Sequence, residues 1–179
     1  ETILISFLKK NFSVKIHGQK HLSFKDAINY DIIISFGYKK LLKRNILEKL
    51  SRPPINLHIS YLPYNRGTHP SFWSFVEKSP KGVSIHEINE SIDGGRLIAR
   101  KKVKFKLDKN LTFSNTYKKL IFEVESLFKR NLNKIINKNY KYIKVHSKGS
   151  FHKKKDLPKD ITSWNIEINK YLKKNKLYL

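Results

Sequence analysis

An amide, an imidazole and a carboxylate, at Asn56, His58 and Asp93, are the side chains whose types and spacing best suit chemistry. Asn56 and His58 are two residues apart, so on a β-strand both leave the same face. Pro53 and Pro54 precede them and the run Pro63–Gly67 reads as a turn, which bounds a strand of about six residues. Asp93 sits in Ile92-Asp93-Gly94-Gly95, 35 residues beyond His58, on a loop able to fold back toward the pair. The trio suits acyl or formyl transfer to an amine. In that reaction charge builds on the carbonyl oxygen, and N–H donors aimed at it commonly supply the largest catalytic effect. Asn56 and His58 are the expected oxyanion donors, and Asp93 the proton acceptor or relay. The chain has no cysteine, which excludes a thiol acyl-enzyme. Taken singly, an Asn-x-His pair is more often structural and Asp-Gly-Gly more often a plain turn; the combination carries the reading.

The elements that must position these residues alternate in type. Asp31 to Phe36 is a continuous apolar run ended by Gly37, the pattern of a strand buried on both faces of a parallel sheet. Residues 39–50 place Leu41, Leu42, Ile46, Leu47 and Leu50 at helical spacing. Strands are expected at Asn56–Ser60, Gly82–Ile88 and Leu97–Phe105, with a short helix at Pro70–Lys78 carrying Trp73 and Val76. Residues 113–137 form the longest helical pattern, with Ser114 or Asn115 as the expected cap. At the front, Ile3, Leu4, Phe7 and Leu8 fit one helix face, and Phe12, Val14 and Ile16 alternate as a strand. The fold class expected is α/β, a doubly wound, mostly parallel sheet binding ligands beyond the carboxyl ends of its strands. The Gly37-Tyr38 turn and His58 would both lie at that edge. Residues 1–107 read as the α/β core. Residues 108–179 read as a C-terminal helix and basic tail that complete the domain or form a dimer contact through Phe151, Trp164, Ile166, Ile168 and Tyr171.

Asn56-Leu57-His58-Ile59-Ser60, Leu62-Pro63, Arg66-Gly67, Pro70, Trp73, Gly82-Val83-Ser84-Ile85-His86 and Ile92-Asp93-Gly94-Gly95 together resemble the folate-dependent formyltransferase family. Ser60–Gly67, Trp73-Ser74-Phe75, Pro80–Val83, Ile34–Tyr38 and Gly149–Leu157 are most similar to its sugar-nucleotide N-formyltransferases. The resemblance implies a formyltransferase moving a formyl group from 10-formyltetrahydrofolate to a nucleotide-linked, expectedly dTDP-linked, amino sugar for surface polysaccharide such as lipopolysaccharide. It implies no metal, a cytoplasmic location and a homodimer. Asn56, His58 and Asp93 match the family's catalytic residues. It puts Leu41, Leu42 and Arg66 toward the folate, with a phosphate or the folate glutamate tail as the partner of Arg66 unless it only braces the turn, and Tyr38, Lys39, Lys40, Tyr64 and Trp73 toward the substrate. His152 reads as a surface histidine, and His86 as holding the loop before Asp93. Two departures are visible. Arg96 follows Gly95 where the family carries an acidic or small residue, and the strand that should open the fold is missing if residues 3–8 are helical. If Thr2 to Phe7 is that strand, the helix after it is missing instead; the helical reading is favoured. The chain opens on Glu1 rather than Met, which suggests a trimmed start.

The net charge of +24 over 179 residues invites a nucleic-acid partner. Residues 101–179 hold 22 basic and 6 acidic residues, against 16 and 8 in residues 1–100. Yet the lysines recur on solvated helix faces, Lys118, Lys119, Lys129 and Lys134 among them, rather than in one arginine-rich stripe. Formylation of initiator methionyl-tRNA is the first alternative, and a basic nucleic-acid-binding module without catalysis the second. No apolar run approaches the roughly 20 residues that span a membrane.

Overall fold

The computed structural model describes residues 3–177. Helix α1 (Ile3–Asn11) opens the described chain and lays Leu4 into the core. The front is therefore helical, but residues 12–16 form no strand, and Phe12 and Ile16 are exposed. Alternation alone does not make a strand without a neighbouring edge to pair with. A single turn, α2 (Phe24–Ala27), is capped by the Ser23 hydroxyl accepting from the Asp26 N–H. The chain then enters the sheet at β1 (Ile34–Phe36).

Strand β1 covers half of the expected Asp31–Phe36 run, and its three residues are half-buried rather than buried on both faces. It is the terminal strand of the sheet, so one flank lacks a neighbour. The helix expected over 39–50 contracts to α3 (Arg44–Leu47). The backbone before it is engaged elsewhere: the Lys39 N–H donates to Gln19 Oε1, and Gln19 Nε2 donates to the Gly37 carbonyl. Such side-chain bonds compete with the helical ladder.

Strand β2 (Ile55–His58) runs parallel to β1, with Ser35 opposite Asn56 and Phe36 opposite Leu57. Both strands thus end at one edge, which places the Gly37 turn beside His58. After the short β3 (Arg66–Gly67), helix α4 (Pro70–Val76) buries Phe72 and Phe75 rather than Trp73 and Val76. Strands β4 (Gly82–Glu87) and β5 (Leu97–Lys102) complete a four-stranded sheet ordered β1-β2-β4-β5. The α/β class is the expected one, with pairing more mixed than alternation suggests: β2–β4 and β4–β5 are antiparallel. The loop between β4 and β5 is too short for a parallel crossover.

Helix α5 (Phe113–Ile136) covers the sheet. Its buried Leu120, Val124, Leu127, Phe128, Leu132 and Ile135 recur every three to four residues and pack on Ile55, Leu57, Val83, Ile85 and Ile98. Thr112, not Ser114 or Asn115, is its cap and accepts from the Asn115 N–H. The Arg52 guanidinium donates to the Ile135 and Ile136 carbonyls, filling acceptors that a helix end leaves open. Strand β6 (Phe151–His152) pairs with β3, and α6 (Ile168–Lys174) closes a second, aromatic cluster. There Ile168 and Tyr171 are buried against Phe72, Phe75 and Phe113 of the same chain, which removes them from any dimer contact. Among the described residues no helix is long and apolar enough to cross a membrane.

Candidate active site

Asn56, His58 and Asp93 meet at the carboxyl edge of β2. Antiparallel pairing sets Asn56 opposite His86 and His58 opposite Ser84, so β4 supplies the neighbours. Asn56 Nδ2 donates to Asp93 Oδ1 at 3.1 Å and lies 3.0 Å from His86 Nε2. His58 Nδ1 is 3.6 Å from Asp93 Oδ1, and the Gly67 N–H donates to Asp93 Oδ2 at 2.8 Å. Asp93 adopts a left-handed backbone, φ 49°, which its short polar side chain tolerates. Gly95 must be glycine, because a Cβ there would collide with the Glu87 carbonyl. The turn after β2 is held by Ser84, whose hydroxyl accepts from the Leu62 N–H and donates to the Ser60 carbonyl.

The electrostatics divide the roles. Burial pushes the His58 imidazolium below its ordinary pKa of 6.5, although the Asp93 carboxylate and a backbone hydrogen bond to Asn65 favour the proton. Burial works against ionisation of Asp93 as well. It is outweighed by His58, His86 and the Gly67 N–H, which bring Asp93 to about 2. His58 Nε2 is buried and has no hydrogen-bond partner. Nδ1 lies within ion-pair range of the Asp93 carboxylate, and Nε2 keeps a hydrogen-bonding capacity that no protein group fills.

A cavity of about 230 Å³ adjoins Asp93, walled by Leu62, Pro63, Arg66, Leu97, Ile143 and Lys148 among others. Arg66 keeps a buried Nε without a hydrogen bond. Arg96, which departs from the family pattern, pairs with the buried Glu87 at 2.9 Å and stacks on Tyr142. Its charge is therefore compensated rather than added to the Asp93 loop. Glu87 also accepts from the Tyr140 and Tyr142 hydroxyls and so ties the cavity wall to β4.

The remaining sequence candidates are scattered. Tyr64 lies half-buried in the turn after β2. Trp73 is not open to a base or pterin on both faces, because His152 stacks on it at 4.0 Å. His152 is accordingly no surface histidine; its Nε2 also lies 2.8 Å from Glu77 Oε1. The Tyr38 hydroxyl donates to the Lys20 carbonyl and accepts from the Leu22 N–H, while Lys39 and Lys40 are exposed. Leu41, 67% exposed, lines a second cavity that shares no residue with the first, and Leu42 is half-buried. His86 is the residue sequence reasoning undervalued. Its alternation with Ser84 on one strand face was the available signal, but only cross-strand register brings it to Asn56.

Comparison with known proteins bears on the fold and the family. The formyl transferase domain family matches residues 6–131. The fold matches the formyltransferase PseJ from Anoxybacillus kamchatkensis, solved with UDP-4,6-dideoxy-4-formamido-L-AltNAc and tetrahydrofolate. That match has 39% identity and a TM-score of 0.77, covering 85% of this chain and 82% of that one. The bifunctional polymyxin resistance protein ArnA of Wigglesworthia glossinidia brevipalpis is 28% identical, over 94% of this chain and 27% of its own length. A methionyl-tRNA formyltransferase of Prochlorococcus marinus is 33% identical, over 82% of this chain and 49% of its own length. The chain spans about a quarter to a half of these two curated relatives. It belongs to the formyl transferase family.

Proposed function

We propose that this chain transfers a formyl group from 10-formyltetrahydrofolate to the amine of a nucleotide-linked amino sugar, in the service of surface polysaccharide assembly. The observation that carries the reading is the convergence of Asn56, His58 and Asp93, with Asp93 lining a cavity that bears Arg66 and Lys148 and His58 Nε2 left without a hydrogen-bond partner. With Nδ1 within 3.6 Å of Asp93 Oδ1, a neutral His58 offers its Nε2 lone pair to the attacking amine. The sugar nitrogen bonds to the formyl carbon, its proton passes to Nε2, and the new imidazolium N–H faces the oxyanion. The carbon–nitrogen bond to folate then breaks as that proton moves to the departing nitrogen.

This reading moves the proton from Asp93 to His58. Both Asp93 oxygens already accept hydrogen bonds, and a carboxyl near pKa 2 is a poor base at neutral pH. Asp93 instead orients the imidazole and stabilises its charged form. Arg66 and Lys148 suit the diphosphate of the sugar nucleotide, Arg66 through paired donors in a fixed fork. Likeness to PseJ makes UDP the first nucleotide to test, ahead of the dTDP expected from sequence.

Methionyl-tRNA formyltransferases among the relatives, together with the +24 charge, keep initiator tRNA as the second reading. One assay separates them: UDP- and dTDP-linked amino sugars beside charged initiator tRNA, each with 10-formyltetrahydrofolate. Turnover of a UDP-linked amino sugar is the expected result. Product from tRNA alone would promote the second reading.

A further inference from the structure

His86 is 2% exposed, sits inside the candidate site and has no part in the proton path above. Its Nδ1 lies 2.7 Å from the Glu87 backbone carbonyl, which can only accept, so Nδ1 carries a hydrogen. In the neutral ring the lone pair is then on Nε2, which faces Asn56 Nδ2 at 3.0 Å and lies 3.5 Å from Asp93 Oδ1, so that the Asn56 amide bridges the two acceptors. That lone pair accepts from the amide and dictates which way the amide turns. The second Asn56 N–H goes to Asp93 Oδ1. Both amide hydrogens are therefore engaged within the protein.

We infer that His86 is a positioning residue that locks the Asn56 side chain with its N–H groups inward and its Oδ1 toward the substrate. Asn56 then accepts a hydrogen bond from the attacking amine and aims the amine lone pair at the formyl carbon. It does not donate to the oxyanion, as sequence reasoning expects. The opposite amide orientation would set Oδ1 against the Asp93 carboxylate and the His86 lone pair, two acceptors facing a third. The proposed function supplies the amine in this picture, whereas the tautomer of His86 and the amide orientation stand without it.

Nitrogen-15 NMR of the whole protein reads the tautomer directly, with the His86 signal assigned by its loss in His86→Asn. The neutral ring is expected to carry its hydrogen on Nδ1 and leave Nε2 bare; a neutral ring protonated on Nε2 would overturn the inference. Kinetics with the accepted amino sugar give the second arm. Replacement by Asn keeps a donor for Glu87 but no acceptor for Asn56, and should lower kcat by about 10- to 100-fold while KM stays within about threefold. His86→Gln, which restores an oxygen near the Nε2 position, should recover most of the loss. In an Asn56→Ala background, His86→Asn should cost no more than about twofold further, because coupled residues are not additive. Full additivity would overturn the positioning role. If no sugar on the panel turns over, the proposed function fails while the NMR result still decides the fate of His86.

Discussion

Two clusters in this molecule are built from the same kinds of side chain and behave oppositely. At the end of β2 stand Asn56, His58, His86 and Asp93. Under β3 stand Asn65, His152, Glu77 and Ser150. In the second cluster Asn65 is fully buried, donates from Nδ2 to Glu77 Oε2 at 2.9 Å and accepts at Oδ1 from Ser79. Ser150 receives the Asn65 backbone N–H and donates to Glu77. His152 lies flat on Trp73 with its Nε2 against Glu77. That cluster stitches the tail to the β2 turn and adjoins no cavity described above. The first cluster is as tightly bonded on its inner side, but its carboxylate lines a cavity; His58 Nε2 and His152 Nε2 are both buried without a hydrogen bond, so it is the cavity that separates the two. An amide, an imidazole and a carboxylate in proximity do not identify a reactive centre; their opening onto a cavity does.

The sharpest way to break the comparison is to remove the imidazole or the carboxylate of the first cluster. His58→Ala or Asp93→Asn should lower kcat by about 10²- to 10⁴-fold, with thermal unfolding showing the fold intact. Turnover near that of the parent would put the chemistry elsewhere. The converse applies to the second cluster. Asn65→Ala strands Glu77 and Ser79 and forces alanine into a left-handed backbone, φ 55°. It should cost about 2–4 kcal/mol of stability, read by denaturant unfolding, while kcat of the remaining folded protein changes less than about threefold. Equal kinetic damage from both substitutions would erase the distinction.

The smallest expected effect is in pH dependence. A base must be neutral to act, and burial holds the folded His58 below 6.5, so the acid limb of kcat/KM should fall below pH 6.5. A limb at or above 6.5 would remove His58 from the role. Stability follows the same signs. The neutral form of His58 is favoured in the fold, so its contribution is complete above pH 6.5 and declines as pH falls through the lower folded value. The Asp93 contribution is complete above its unfolded value of 3.8 and disappears as pH falls through about 2.

Much of this was legible in the sequence for stated reasons. Asn56 and His58 obey strand alternation, and Asp93 lies in a turn whose residues tolerate its backbone. Helix α5 was legible because its apolar stripe repeats over 24 residues, and length suppresses chance agreement. The segment from Tyr38 to Leu50 was misleading: its leucines fit a helix, but bonds to Gln19, Lys20 and Leu22 hold the first part open. No local pattern encodes partners 16 to 20 residues away. The contribution of His86 was hidden for a related reason, because it depends on a neighbouring strand and on which ring nitrogen carries hydrogen.

The parallel pairing of β3 with β6 has a consequence for how the chain can be shortened. Residues 150–152 receive the Arg66 and Thr68 N–H groups, while the Gly67 N–H between them points the other way to Asp93. A version ending before Ser150 would expose a raw sheet edge with two unfilled donors, the kind of surface along which chains stick to one another. The same cut would loosen the peptide that grips the carboxylate from behind. Loss of solubility and loss of turnover would then arrive together, from a deletion that removes none of the reacting groups.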